Sequence, residues 1–187
     1  MRHLLLVSLI GLMTACATTG PRVRTDYDRA VNFSSYHTYD FAPELGTDRA
    51  GYSTLITSHF RRAVSREMEA RGYRLSTDKP DLLVNFFAST RERTDVQSTP
   101  GFAWGAGYYG YRRGLYTTWP LYRQDVETVH YKVGTASIDV VDAVHKQLIW
   151  EGTAEGRLTQ KMLDDPGPAV DKAVSEIFAK YPVSPAN

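Results

Sequence analysis

Two neighbouring β-type runs decide the fold class of this chain: Gly134-Thr-Ala-Ser-Ile-Asp-Val-Val-Asp142 and Leu148-Ile-Trp-Glu-Gly152. Apolar residues alternate with polar ones along the first run, which is the pattern of a strand with one buried face. The polar stretch between the two runs is typical of a turn. The sequence therefore predicts a β-hairpin with strands over Val126–Val141 and Leu148–Ala154.

Outward from this hairpin, the chain contains two helical patterns and three more strand patterns. Apolar residues recur at three- and four-residue spacing over Ser53–Arg71 and Pro168–Tyr181, which predicts two amphipathic helices. Gly72 suits the position just after the first helix. The nearly continuous apolar run Leu82–Ala88 is suited to an interior strand. Short β-branched and aromatic runs predict two further strands, over Val23–Asp28 and Tyr36–Phe41.

The order of these elements predicts an α+β fold. We expect a two-layer sandwich in which about five mostly antiparallel strands form a sheet and both helices pack on one of its faces. The chain has 187 residues, of which 42% are hydrophobic and 23% charged, and this is ordinary globular composition. We expect one domain over residues 23–183, followed by a short tail at 184–187.

The first sixteen residues, MRHLLLVSLIGLMTAC, follow the layout of a secretory signal peptide over residues 1–15. Arg2 supplies positive charge, an apolar stretch follows, and small residues precede Cys16, which is the only cysteine of the chain. A cysteine directly after the cleavage point resembles the bacterial lipoprotein box, although Met13 stands where leucine is usual. The resemblance implies cleavage before Cys16, a diacylglyceryl thioether on its sulfur and acylation of its amine.

A lipid on Cys16 would place the protein in the bacterial cell envelope. Residues 16–22 would form the lipidated cysteine and a short tether, which holds the domain close to the lipid headgroups. In such lipoproteins an aspartate after the cysteine commonly retains the protein at the inner membrane, so Ala17 favours the outer membrane, facing the periplasm. The other interpretations are a signal peptide with a coincidental cysteine, or an uncleaved anchor.

Several short motifs together resemble a known family. They are Phe33-x-x-Tyr36-x-Thr38-Tyr39, Arg71-Gly72-Tyr73, Pro80-Asp-Leu-Leu-Val84 and the two hairpin runs. This combination resembles the bacterial lipoproteins of the domain-of-unknown-function 4136 family, over roughly residues 22–182. The resemblance implies a fold and a membrane location, and it brings no catalytic residues.

Residues 94–123, the Gly/aromatic segment, combine eight aromatic residues with five glycines. Neither helical nor strand periodicity fits them, so we predict a long insertion loop of the kind that is usually functional or disordered. Its large aromatic side chains and neighbouring arginines make it the candidate contact surface. The residues of that surface are Trp104, Tyr108, Tyr109, Tyr111, Arg112, Arg113, Tyr116 and Trp119.

Three interpretations of the Gly/aromatic segment remain open at this point. It could be a low-complexity insertion whose rings partly fold back on the sheet. It could be a contact surface for another envelope protein, or for a glycan through ring stacking. It could also be a membrane-interface patch in which Trp and Tyr lie at headgroup level while Arg112 and Arg113 meet phosphates.

The sequence gives only weak evidence for catalytic groups. Strand alternation places Asp139 and Asp142 on opposite faces unless the chain turns first. We expect Asp139 to face solvent and Asp142 to cap the turn through local backbone hydrogen bonds. The histidines beyond the leader are scattered, without the spacing of a metal site. We therefore predict no catalytic residues, no metal and no cofactor.

The charge balance argues against a nucleic-acid partner. Lys and Arg total 22 against 21 Asp and Glu, and the formal net charge of +1 lacks the basic surplus that displaces counterions. We expect a non-catalytic interaction or structural module at the periplasmic membrane surface, bound to the membrane through Cys16, with an envelope protein or glycan as partner. The alternative is a binder or hydrolase of an envelope small molecule or glycan that uses a cleft beside the Gly/aromatic segment. The oligomeric state stays open.

Overall fold

The structure is a computed structural model, which describes most of the chain. Backbone is described for residues 20–49, 51, 53–104, 108–110, 114–116 and 120–186, and side chains for 20–49, 51, 53–95 and 128–186. In this part of the chain, no helix has the length and apolar character needed to cross a membrane.

The described residues form a mixed α/β fold with one six-stranded sheet, a separate strand pair and three α-helices. Strand order in the sheet is β1-β8-β7-β4-β2-β3. Neighbours are antiparallel from β1 to β4, whereas β2 runs parallel to both β4 and β3. The elements are β1 (Arg22–Tyr27), β2 (Thr38–Phe41), α1 (Leu55–Glu69), β3 (Arg74–Leu75), β4 (Leu82–Trp104), β5 (Tyr108–Gly110), β6 (Gly114–Tyr116), β7 (Pro120–Asp142), β8 (Gln147–Leu158), α2 (Gln160–Asp164) and α3 (Pro166–Phe178).

The two predicted layers are confirmed, but the number of elements differs from the prediction. The sheet has six strands and not about five, because the two residues of β3 pair with β2 at its edge. A third helix, the single-turn α2, precedes α3. Both elements are too short to leave a periodic pattern in the sequence.

The prediction that residues 94–123 form a loop is wrong at both ends of the segment. Strand β4 continues to Trp104 and β7 begins at Pro120, with residue-by-residue antiparallel pairing between them. Backbone pairing propagates along a hairpin without the apolar alternation by which strands are recognised in sequence. The Pro100-Gly101 dipeptide therefore lies within β4 and does not end it.

Helices α1 and α3 pack side by side on one face of the sheet. The first helix begins after Thr54, whose hydroxyl accepts a hydrogen bond from the Thr57 backbone N–H at 3.1 Å. Helix α3 begins with Pro166. A proline in the first turn costs no helical hydrogen bond, because the N–H that it lacks would have no partner within the helix. Large buried side chains join the two layers: Tyr39, Phe60, Met68, Phe86, Trp150 and Phe178.

The motif Arg71-Gly72-Tyr73 ends α1 and connects it to the rest of the core. Gly72 has φ +88°, the left-handed conformation that glycine adopts after a helix, as the sequence predicted. The buried Arg71 guanidinium donates a hydrogen bond to the Phe178 carbonyl oxygen at 2.7 Å. The Tyr73 hydroxyl donates to the Phe33 carbonyl oxygen at 3.1 Å. All three residues of the motif therefore support the fold.

A β-bulge between β7 and β8 decides which side chains of β8 enter the core. Val140 pairs with Trp150 and Val141 pairs with Leu148, so Ile149 is the extra residue. Ile149 and Trp150 are both buried, at 2% and 1% exposure, whereas simple alternation would expose one of them.

The glycines of the two hairpin motifs lie where a neighbouring side chain packs directly on the sheet backbone. A Cβ at Gly152 would collide with Ile177 and lie 2.6 Å from the Trp150 ring. A Cβ at Gly134 would lie 2.9 Å from the Leu158 side chain. Glycine is therefore required by close approach at position 152, whereas at position 134 a larger residue would make the Leu158 side chain shift.

Gly152→Ala is expected to destabilise the protein by about 1–3 kcal/mol, because Trp150 or α3 must shift to admit the methyl group. In the matched control Gly20→Ala, the new Cβ would meet only the flexible Glu176 carboxylate, at 3.4 Å. The control should change stability by less than about 0.5 kcal/mol. Urea unfolding measures both variants, and equal stability of the two would contradict the prediction.

Candidate functional site

Polar residues of the family motifs meet at the end of the sheet where β2 and β4 begin. The Asp81 carboxylate accepts hydrogen bonds from the backbone N–H groups of His37, at 2.8 Å, and Thr38, at 2.9 Å. In return, Thr38 Oγ1 accepts from the Asp81 N–H at 3.0 Å. The bond from His37 is the main cause that lowers the pKa of Asp81. This reciprocal pair holds the first residues of β2 and β4 side by side.

Asp142, at the end of β7, belongs to the same end of the sheet. Its buried carboxylate accepts from the Tyr36 hydroxyl at 2.9 Å and from the backbone N–H groups of Val144 and His145 at 2.9 and 2.8 Å. The His145 ring contacts it as well, at 2.9 Å, and because an ionised carboxylate only accepts, Nδ1 carries the proton. The predicted turn cap is therefore confirmed.

These hydrogen bonds fix the protonation states of the site. Burial opposes ionisation of Asp142, but the bonds from His145, Tyr36 and Val144 outweigh it and lower its pKa to about 2. Burial and the bond to Asp142 raise the pKa of Tyr36 to about 12, so this hydroxyl stays a donor. We name Tyr36, Thr38, Asp81, Asp142 and His145 the turn-end cluster. Its hydrogen bonds join the starts of β2 and β4 to each other and join Tyr36 to the end of β7.

Asp142→Asn is expected to cost about 1–3 kcal/mol of stability at neutral pH, because buried donors lose an acceptor. The pKa of Asp142 falls from 3.8 to about 2 on folding. Its contribution is therefore complete above about pH 4 and is lost as the pH falls toward about 2. Urea unfolding across this range should show the gap between the wild type and the variant closing. A constant gap, or the same behaviour in the exposed control Asp78→Asn, would contradict the assignment.

The candidate contact surface falls partly on paired backbone. Trp104 ends β4 opposite Pro120, and Tyr108 is the cross-strand partner of Tyr116 in the β5–β6 pair. Tyr109 pairs with Leu115 in the same ribbon. Four residues of the predicted surface and the predicted lipidation site lie outside the described residues: Tyr111, Arg112, Arg113, Trp119 and Cys16.

The sheet face opposite α1 and α3, named the open face, carries charged side chains at two places along its strands. Near the β7–β8 turn, an acidic row crosses three strands through the register partners Asp139, Glu151 and Asp26. Asp139 lies on this face, away from the helices, but it is half-buried where the sequence predicted a solvent-facing residue, and burial together with the Glu151 charge raises its pKa. This end of the open face is therefore negative.

Farther along the strands, the open face becomes basic. Glu155 has Arg22 as its cross-strand partner and contacts the guanidinium groups of Arg93 at 3.0 Å and Arg91 at 3.8 Å. Arg157 follows two residues later on the same face of β8. We name these four exposed arginines the arginine cluster.

A groove of about 530 Å³ lies beside the arginine cluster, where β8 leads into α2. The Arg157 guanidinium stacks on the Tyr131 ring at 4.5 Å, and His130 is hydrogen-bonded to Thr94 at 3.0 Å. No carboxylate lies among its described lining residues. They are His130, Tyr131, Lys132, Arg157, Leu158, Thr159, Gln160 and Leu163.

The structure brings few of the titratable residues together. Of the histidines, His145 joins Asp142, whereas His59 lies beside Arg62 on α1 and His130 lies at the groove. Within the described ranges, no group of three or more His, Cys, Asp or Glu side chains is arranged to hold a metal ion. The sequence analysis did not predict the hydrogen bond between Tyr36 and Asp142. The one indication of it in the sequence is that both residues belong to family motifs.

The profile of the domain of unknown function DUF4136 matches residues 23–183. The chain belongs to this family. The family motifs of this DUF4136 chain now have physical roles: the turn-end cluster, the end of α1, and the glycines on which other side chains pack. Among curated proteins, none matches the chain.

The solved structures that align with this DUF4136 chain are distant from it in sequence. A PDZ domain protein from Parabacteroides distasonis aligns with a TM-score of 0.57 at 14% identity over 89% of this chain. The alignment covers only 36% of that protein, and at this identity it shows the fold alone. Two PelC dodecamer structures from Paraburkholderia phytofirmans align with a TM-score of 0.46 at 8% identity, over 84% of this chain and 94% of theirs.

Proposed function

We propose that this protein is a lipid-anchored component of the bacterial cell envelope whose domain is a non-catalytic interaction or structural module. Cleavage of residues 1–15 leaves Cys16 as the lipidated N-terminus, in the outer membrane and facing the periplasm. The sequence before it supports this anchor, since positive charge, an apolar stretch and small residues lead to the only cysteine of the chain.

The hydrogen bonding of the turn-end cluster carries the proposal of a non-catalytic role. A general acid or base must reach the proton that it transfers to or from substrate. The Asp142 carboxylate instead accepts bonds from Tyr36, Val144 and His145, and Asp81 is bound by the β2 backbone. The polar motif residues are thus engaged in holding strands together.

Mass spectrometry of the N-terminal peptide, from protein purified out of bacterial membranes, tests the anchor. We expect the peptide to begin at Cys16 and to carry both a diacylglyceryl group and an amide-linked acyl chain, because two or more chains give stable attachment. The control Cys16→Ser should lack lipid and keep its leader. An unmodified Cys16 thiol in the wild-type protein would contradict the anchor.

The Gly/aromatic segment is the proposed contact surface for an envelope protein or glycan, because aromatic side chains supply large contact areas. Val96 and Thr128 are cross-strand partners, so an Asn-Gly turn in place of residues 97–127 closes the hairpin in register. We expect this excised variant to unfold at the wild-type urea midpoint and to lose its cross-links in intact membranes. Cross-links that survive the excision would contradict this role.

Ligand binding in the groove is the second candidate function. Tyr131 offers a ring on which a sugar can stack, and Arg157 offers a charge, whereas glycoside hydrolysis needs a pair of carboxyl groups. The described lining residues lie outside 97–127, so the groove survives the excision. Glycan binding that persists in the excised variant would assign it to the groove.

A further inference from the structure

We propose that the arginine cluster docks on the anionic phospholipid headgroups of the membrane to which Cys16 attaches. The inference rests on the proposed anchor at Cys16. It assigns a lipid-binding surface to the open face, separate from the Gly/aromatic segment.

The position of β1 places the arginine cluster near the anchor. Arg22 is the first residue of β1 and lies six residues after Cys16. A chain of this length spans at most about 22 Å when fully extended. Arg22 also lies opposite Glu155, the residue that Arg91 and Arg93 contact. The tether therefore keeps the cluster within reach of the headgroups.

The charge of this part of the open face suits an anionic surface. Among the side chains that the structure describes, four arginines surround one glutamate, and Arg24 on β1 and Asp95 on β4 are the flanking charges on the same face. Five positive charges thus meet two negative ones. Anionic headgroups attract each arginine that comes within about one Debye length, roughly 8 Å at physiological ionic strength.

The acidic row on the same face gives the docking a direction. Asp26 lies four residues beyond Arg22 along β1, and Glu151 lies four residues from Glu155 along β8. Four residues of strand span about 13 Å, which exceeds the Debye length. An anionic bilayer therefore attracts one end of the open face and repels the other, which orients the domain with the arginine cluster toward the lipid.

The helix layer provides a matched control. Three exposed arginines lie on α1, on the other side of the sheet: Arg61, Arg62 and Arg66. Arg62 and Arg66 contact Asp171 at 3.9 and 3.6 Å, so part of their charge is compensated.

The test uses the lipidated protein in vesicles, with a fluorophore on Ser89→Cys of the open face or on Ser58→Cys of α1. The thioether at Cys16 leaves the introduced thiol as the labelling site. A quencher on the lipid headgroups reports how close each label lies to the bilayer, in phosphatidylcholine with or without phosphatidylglycerol. Phosphatidylglycerol should increase quenching at position 89 relative to position 58, and high salt should reverse the increase.

Charge variants identify the residues responsible. Each arginine should change the ratio of docked to undocked protein about fivefold, so R22Q/R91Q/R93Q should lower it by about 100-fold. R22K/R91K/R93K keeps the charge and should retain the response, and urea midpoints show that each variant is folded. R61Q/R62Q/R66Q should leave the response at position 89 unchanged.

Two outcomes separate this inference from the anchor on which it rests. Protein with an intact thioether whose label at position 89 ignores phosphatidylglycerol would overturn the docking alone, as would an equal loss of response in R61Q/R62Q/R66Q. An unmodified Cys16 in the same preparation would overturn the proposed anchor.

Discussion

The β-bulge at Ile149 is the constraint on which the rest of the domain depends. Because strand side chains alternate between faces, one extra residue inverts the orientation of every position beyond it. Trp150 and Gly152 therefore face the helices, while Leu148, before the bulge, is half-exposed. The Trp150 ring then lies 5.6 Å from that of Phe178, and α3 can approach the sheet because Gly152 has no side chain.

The spacing of apolar residues in the sequence made part of the fold predictable. That part consists of α1, α3 and the portions of β4, β7 and β8 that pack against the helices. The outer part of β4, residues 89–104, and the first residues of β7, 120–125, carry no such mark, since their pairing uses backbone groups that every sequence has. The bulge also escapes a pattern search, because Ile149-Trp150 is equally compatible with one inward and one outward side chain. The directions in which these two side chains point follow from the packing of α3.

The candidate site likewise contains contacts that a local sequence pattern predicts and contacts that it does not. Asp142 as a turn cap was predictable, because an aspartate before a turn bonds to the backbone a few residues on. Its bond to Tyr36 spans 106 residues, and that of Arg71 to Phe178 spans 107, so no local pattern contains them. The family motifs thus include residues that bond to distant segments of the chain, which is why they identify a fold.

The arginines of the open face need an explanation other than stability. Arg91 and Arg93 are 58% and 47% exposed, and they share a single partner, Glu155. Exposed pairs of this kind contribute about 0–1 kcal/mol each, and a second arginine on the same carboxylate adds like-charge repulsion. A surplus of charge on one end of a face acts instead through its field, which reaches beyond the protein and acts on whatever charged surface lies nearby. For a chain held by the proposed lipid on Cys16, the nearest extended surface is the membrane.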